Sequence, residues 1–150
     1  MNTFRQQFRR LVLLIGMMLA LQFGLINPSA HALGNIQGLA ALRQLAQVSL
    51  PYETAIATTQ PTVVEFYADW CEICQGMAPL MTQLHADYQT EIDFVMIDID
   101  DPASRSLVQQ YQALGVPQLT FLNDKAEFLG SLVGRVPESR LIEIFERLKA

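Results

Sequence analysis

Thr62-Val63-Val64-Glu65-Phe66-Tyr67-Ala68-Asp69-Trp70-Cys71-Glu72-Ile73-Cys74 is the stretch on which the fold turns. Thr62 to Ala68 is rich in β-branched and aromatic residues with one acid inside it. Such a run reads as a strand buried on both faces, typical of a parallel sheet. Cys71 and Cys74, the only cysteines, follow at the start of a helix expected to run to about Tyr88. Met77, Leu80, Met81, Leu84 and Tyr88 lie on one face of that helix, and Pro79 inside it predicts a kink. Two residues between cysteines on a first helical turn bring the sulfurs within bonding reach. The first sulfur then lies over the unpaired N–H groups of the helix end, which favour a thiolate, the reactive form.

Downstream, Ile92 to Ile99 reads as a second strand, and Asp101-Pro102 as a helix start with an N-cap acid and proline at the first position. Leu107, Val108, Tyr111 and Leu114 give a helical stripe that Gly115 is expected to stop. Gln118 to Leu122 and Glu127 to Val133 flank Asn123-Asp124-Lys125-Ala126 as an antiparallel hairpin. A last helix spans about Pro137 to Leu148, with Leu141, Ile142, Ile144, Phe145 and Leu148 on its apolar side. Strand, helix, strand, helix, strand, strand, helix makes an α/β domain over residues 62–150, a mixed sheet with helices on both faces.

Upstream, residues 33–61 form an N-terminal helical extension. Ile36, Leu39, Ala40, Leu42, Leu45 and Ala46 recur at helical spacing, Pro51 breaks the segment, and Tyr52 to Ala57 suggests a short second helix. Residues 1–32 read as an export segment: Arg5, Arg9 and Arg10, an apolar run from Leu11 to Ile26, then Ala30-His31-Ala32 as a small-x-small exit. Cleavage after Ala32 is the favoured reading. The rival is an uncleaved anchor, for which residues 11–26 fall at the short end of the roughly 17–25 apolar residues that a span needs. Either way the folded part faces the far side of the membrane, because the basic flank stays behind.

Without the first 32 residues the chain keeps seven basic and fifteen acidic side chains, and its net charge falls from -5 to -8. That argues against nucleic-acid binding, which needs a basic patch. For the cysteine pair, a purely structural disulfide gains little, because the loop it closes is so short. A metal site needs two more ligands, and only His31 and His85 remain as soft candidates. His85 is most simply a polar-face helix residue, and Asp98, Asp100 and Asp101 a strand end and a helix cap.

The stretch Val63 to Cys74, with Pro79 beyond it, Gly115-Val116-Pro117 and Val133-Gly134, resembles the thioredoxin superfamily in several separated motifs in the right order. Within it, the Glu-Ile pair between the cysteines and Val133-Gly134-Arg135 resemble the thylakoid- or periplasm-facing thioredoxin-like thiol:disulfide interchange proteins of cyanobacteria and chloroplasts. The resemblance implies a thioredoxin fold and a reversible Cys71–Cys74 disulfide, with Cys71 as nucleophile and Cys74 as resolving thiol. It also implies substrate contacts at Trp70, Val116 and Pro117, Pro117 being the family's cis-proline. Glu65 takes the place of the family's buried acid, usually aspartate, and is the candidate general base. Met96 stands where many relatives carry a lysine that pairs with that acid.

The same resemblance implies reduction of disulfides in exported proteins, apocytochromes among them, in a periplasm or thylakoid lumen. It further implies a membrane dithiol as electron donor; no site for a flavin, haem or nucleotide is visible in the sequence, so no cofactor beyond the cysteines is expected. Glu72 and Asp69 put negative charge near the thiolate and argue for a reductant-like dithiol. A dithiol oxidase or isomerase, and a non-catalytic binding module, are the alternatives.

Overall fold

The computed structural model describes residues 30–150, with side-chain surroundings from Ile36 onward. The basic and apolar stretches of the export segment, Arg5 to Ile26, lie outside the described residues. Among the described residues no helix is long and apolar enough to cross a membrane. The chain divides into two units, Met1–Gly34 and Asn35–Ala150. Of the first, only the helical backbone of residues 30–34 is described, the opening turns of α1 (Ala30–Val48).

The second unit is built on a four-stranded sheet in the order β2-β1-β3-β4. β1 (Thr62–Tyr67) pairs parallel with β2 (Asp93–Asp98) and antiparallel with β3 (Gln118–Leu122), which pairs antiparallel with β4 (Phe128–Val133). The mixed sheet expected from the sequence is therefore present. β1 is central, and all six of its residues are buried. Because side chains alternate along a strand, Val63 enters one face with Phe94, Leu119 and Phe121. α3 (Glu72–Tyr88) and α5 (Glu138–Leu148) cover that face through Met77, Met81, Leu141 and Phe145. Val64 and Phe66 enter the other face, under α2 (Tyr52–Ala55) and α4 (Arg105–Gln110).

Several elements depart from the expected patterns. In α1 the buried face is Gly38, Leu42 and Leu45, while Ile36 is 67% exposed and Ala40 faces solvent. Glycine at 38 lets α1 approach α3 closely, and this approach sets which stripe faces inward. α4 ends at Gln110 rather than near Gly115, and its left-handed residue is Gln112 (φ 49°). Leu114 thus lies beyond the helix, 94% exposed. Asp101 does cap the turn, its carboxylate accepting from the Ala103 N–H, but the first turn is a 3-10 helix, Pro102–Ser104. In α5, Leu141 and Phe145 are buried, whereas Ile142 turns outward. His85 is half-buried rather than on a polar face. Its ring lies 4.8 Å from that of Phe94, and burial holds its pKa below the usual value.

Candidate redox site

Cys71 is the N-cap of α3, with extended backbone (φ -77°, ψ 101°), and Cys74 lies one turn in. They form a disulfide with Cα atoms 5.2 Å apart, and the Cys74 N–H points at the Cys71 sulfur at 3.0 Å. That donor belongs to the free N–H groups of the helix end, which stabilise negative charge on sulfur. Cys74 is fully buried and Cys71 is 5% exposed, so the first sulfur is set into the surface rather than standing out from it.

Trp70 is 63% exposed, a surface aromatic rather than a core one. Its indole N–H donates to the Asp100 carboxylate at 2.7 Å. Asp100, read from sequence only as part of a strand end, is therefore also the ring's anchor. The parallel pairing makes the contact: β1 ends at Tyr67 opposite Asp98 at the end of β2. The loops leaving the two strands emerge side by side.

The Val116–Pro117 peptide bond is cis. The Pro117 carbonyl accepts from the Gly134 N–H at 2.8 Å, where Gly134 adopts φ +85°. That bond occupies the proline acceptor, and proline has no N–H to offer. Among the described residues, the Val116 N–H and C=O make no hydrogen bond. The free backbone groups of the loop thus belong to Val116. Val116 packs against the buried cluster that contains Cys71 and Cys74.

Glu65 is 1% exposed. It shares the α3 face of β1 with Val63 and Tyr67, and Met96 and Leu119 are its cross-strand partners. Neither carboxyl oxygen has a hydrogen-bond partner among the described residues. Burial alone raises its pKa to about 8, so at neutral pH it holds a proton. The acid is buried, as the resemblance implied, and among the described residues no cation faces it.

Three residues were given no role at the site by the sequence reading. Arg43 of α1 donates from Nε and Nη2 to one Asp69 oxygen, at 3.0 and 2.7 Å. Asp69, expected as a bare charge beside the thiolate, is ion-paired. Gln75 Nε2 donates to the Asp69 backbone oxygen at 2.6 Å. The Arg135 guanidinium lies over Gly76, where a Cβ would come within 2.9 Å of Nη2. No spacing rule links residues this far apart in the chain; only the docking of α1 and of the β4–α5 loop brings them in. Clefts of about 370 Å³ between β4 and α5 and about 650 Å³ beside α4 share no lining residue with the cysteines.

A disulfide at a helix N-cap, a buried acid in the strand that leads to it and a cis-proline loop packed against its cluster define a thioredoxin-fold protein of the disulfide-exchange class. The thioredoxin family profile matches residues 44–147, and the chain belongs to that family, with Cys71 and Cys74 in its active-site position. It is 36% identical over 110 residues to the thioredoxin-like protein HCF164, chloroplastic, of Arabidopsis thaliana, covering 73% of this chain and 42% of the relative. It is 42% identical over 102 residues to the thiol:disulfide interchange protein TxlA of Synechococcus elongatus, covering 68% and 53%. The chain spans about half the length of these curated relatives. Among solved structures it is similar to Fasciola hepatica thioredoxin, with TM-score 0.54, 26% identity, and coverage of 61% of this chain and 84% of that one.

Proposed function

We propose that this chain reduces disulfides of proteins exported across a membrane, using Cys71 as nucleophile and Cys74 as resolving thiol. The observation that carries the reading is the Cys71 sulfur at the N-cap of α3, with the Cys74 N–H 3.0 Å from it. In the reduced form the Cys71 thiolate attacks a substrate disulfide. A mixed disulfide forms and one substrate thiolate leaves. In the minority of molecules in which Glu65 has lost its own proton, its carboxylate takes the Cys74 proton and Cys74 attacks the Cys71 sulfur. The second substrate thiol departs, the substrate has gained two electrons, and the chain is left with the disulfide seen here.

Trp70 and the free backbone groups of Val116 suit an extended substrate segment, with Pro117 shaping the loop that presents them. Glu72, exposed in the first turn of α3, keeps negative charge near the thiolate and favours a reductant over an oxidant. The basic and apolar N-terminal sequence, and relatives named chloroplastic and thiol:disulfide interchange proteins, support a periplasmic or thylakoid-lumenal setting. Apocytochromes as substrates and a membrane dithiol as electron donor belong to the same reading. The test is substrate trapping with Cys74→Ala in membranes and in the exported fraction. Disulfide-linked adducts on Cys71, absent from a Cys71→Ser chain, are expected; no adducts in either fraction would refute the reading.

A further inference from the structure

α1 meets the redox site through one face. Gly38 packs on the backbone carbonyl of Gln75, where a Cβ would sit 2.7 Å from the oxygen. That carbonyl is the one whose helical partner Pro79 removes, since proline carries no N–H. Leu42, one turn on, is fully buried with Tyr67, Ala68, Cys71 and Cys74. Arg43 holds the Asp69 carboxylate with two nitrogens, while Gln75 holds the Asp69 backbone oxygen. The residue that introduces Trp70 and Cys71 is thus gripped at its side chain by α1 and at its main chain by α3.

We propose that Arg43 is a positioning residue of the redox site: through Asp69 it holds the loop carrying Trp70 and Cys71 and offsets a negative charge two residues before Cys71. The proposal rests on the dithiol chemistry proposed above. The ionisable groups around this loop are mostly acidic. Glu65 and Tyr67 come from β1, Glu72 from α3, and Asp98 and Asp100 from the end of β2. Arg135 lies over Gly76.

The Tyr67 hydroxyl reports on this group. Burial raises its pKa, Asp98, Asp69 and Glu65 raise it further, and Arg43 lowers it. Among the described residues, Arg43 is therefore the cation that acts on Tyr67 within the acidic cluster. As an exposed pair it contributes little to stability. Its consequence lies in the thiolate, which a nearby carboxylate disfavours and a neutralised carboxylate does not.

The test is the pH profile of iodoacetamide reaction at Cys71 in the reduced, full-length protein. Arg43→Gln is expected to move the midpoint up by about half a pH unit, a roughly threefold loss of thiolate below the midpoint. Arg43→Lys, which keeps the charge, should recover most of it. In an Asp69→Asn background the Arg43→Gln shift should shrink by at least half, because its target is gone. A midpoint unmoved by Arg43→Gln, or an equal shift in both backgrounds, overturns the proposal while leaving disulfide exchange intact. No reactive thiol in the reduced unsubstituted protein overturns both.

Discussion

Glu65 and Met96 stand opposite each other in the parallel register of β1 and β2, a fully buried carboxyl facing a thioether. Among the described residues nothing compensates the carboxylate. Its pKa of about 8 in the folded chain lies well above the ordinary value of 4.5. The folded state therefore binds the Glu65 proton more tightly than the unfolded state does. Its contribution to stability is fully present below about pH 4.5 and is lost as pH rises through 8. Glu65→Gln removes this dependence. The difference in unfolding free energy between the variant and the parent should change by on the order of 4 kcal/mol between pH 4.5 and pH 9, in favour of the variant at high pH. Urea titrations across that range measure it, and parallel pH profiles for the two proteins would contradict the assignment.

Met96→Lys tests the same relationship from the other strand. Met96 is only partly buried, so an ammonium group there can stay near solvent while facing Glu65. An opposite charge favours the carboxylate. The pH at which stability falls should move below 8, and the loss across the range should be smaller than in the parent. The reductase pH profile should move the same way if Glu65 is the base for Cys74.

Trp70 and Asp100 invite a separate experiment. The ring is 63% exposed, and its indole N–H donates to the carboxylate at 2.7 Å. Asp100→Ala frees the ring. Trp70 is the only tryptophan, so its fluorescence anisotropy reports the added motion directly. For a protein disulfide substrate, KM should rise about twofold to fivefold with little change in kcat, the size of one modest hydrogen bond. Asp100→Asn keeps an acceptor and should fall between. Unchanged anisotropy in the alanine variant would show that the hydrogen bond does not restrain the ring.

The strand-and-helix frame around these residues was legible because Thr62 to Cys74 combines a doubly buried strand with a cysteine pair at a helix start. Periodicity also located β2, the hairpin and α5. It failed where docking overrides pattern. Ile36 fits the apolar stripe of α1 yet faces out, because Gly38 rotates the close contact elsewhere. Leu114 fits the α4 stripe, but the helix ends at Gln110, before it. Cys71, Cys74 and Glu65 were visible as residue types in place. Arg43, Asp100 and Gln75 were not, because each acts by a contact between segments that only the folded chain brings together.

The contrast within α1 is measurable. Leu42 is fully buried in the cluster that holds the disulfide, and Leu42→Ala should cost about 2–5 kcal/mol through lost burial and the cavity left behind. Ile36→Ala, at a position 67% exposed, should stay within about 0.5 kcal/mol. Denaturant unfolding of the two variants ranks them. Equal effects would mean that α1 does not pack as described.

Gly38→Ala sets two opposing effects against each other. In an unencumbered helix interior, alanine in place of glycine stabilises by about 1 kcal/mol, because the unfolded chain loses less freedom. At Gly38 the added Cβ would lie 2.7 Å from the Gln75 oxygen, 3.1 Å from its carbonyl carbon and 3.1 Å from its Cβ. The first two atoms are main chain within α3 and cannot swing aside as a flexible side-chain tip would. α1 must therefore lift, loosening Leu42 from the cluster that holds the cysteines and the Arg43 contact with Asp69. Overpacking of this kind costs about 1–3 kcal/mol, enough to cancel the propensity gain or exceed it. The variant should be no more stable than the parent, and its Cys71 reactivity profile should shift in the same direction as that of Arg43→Gln. Stabilisation by a full 1 kcal/mol, with an unmoved profile, would mean that α1 is free to give way and does not govern the dithiol.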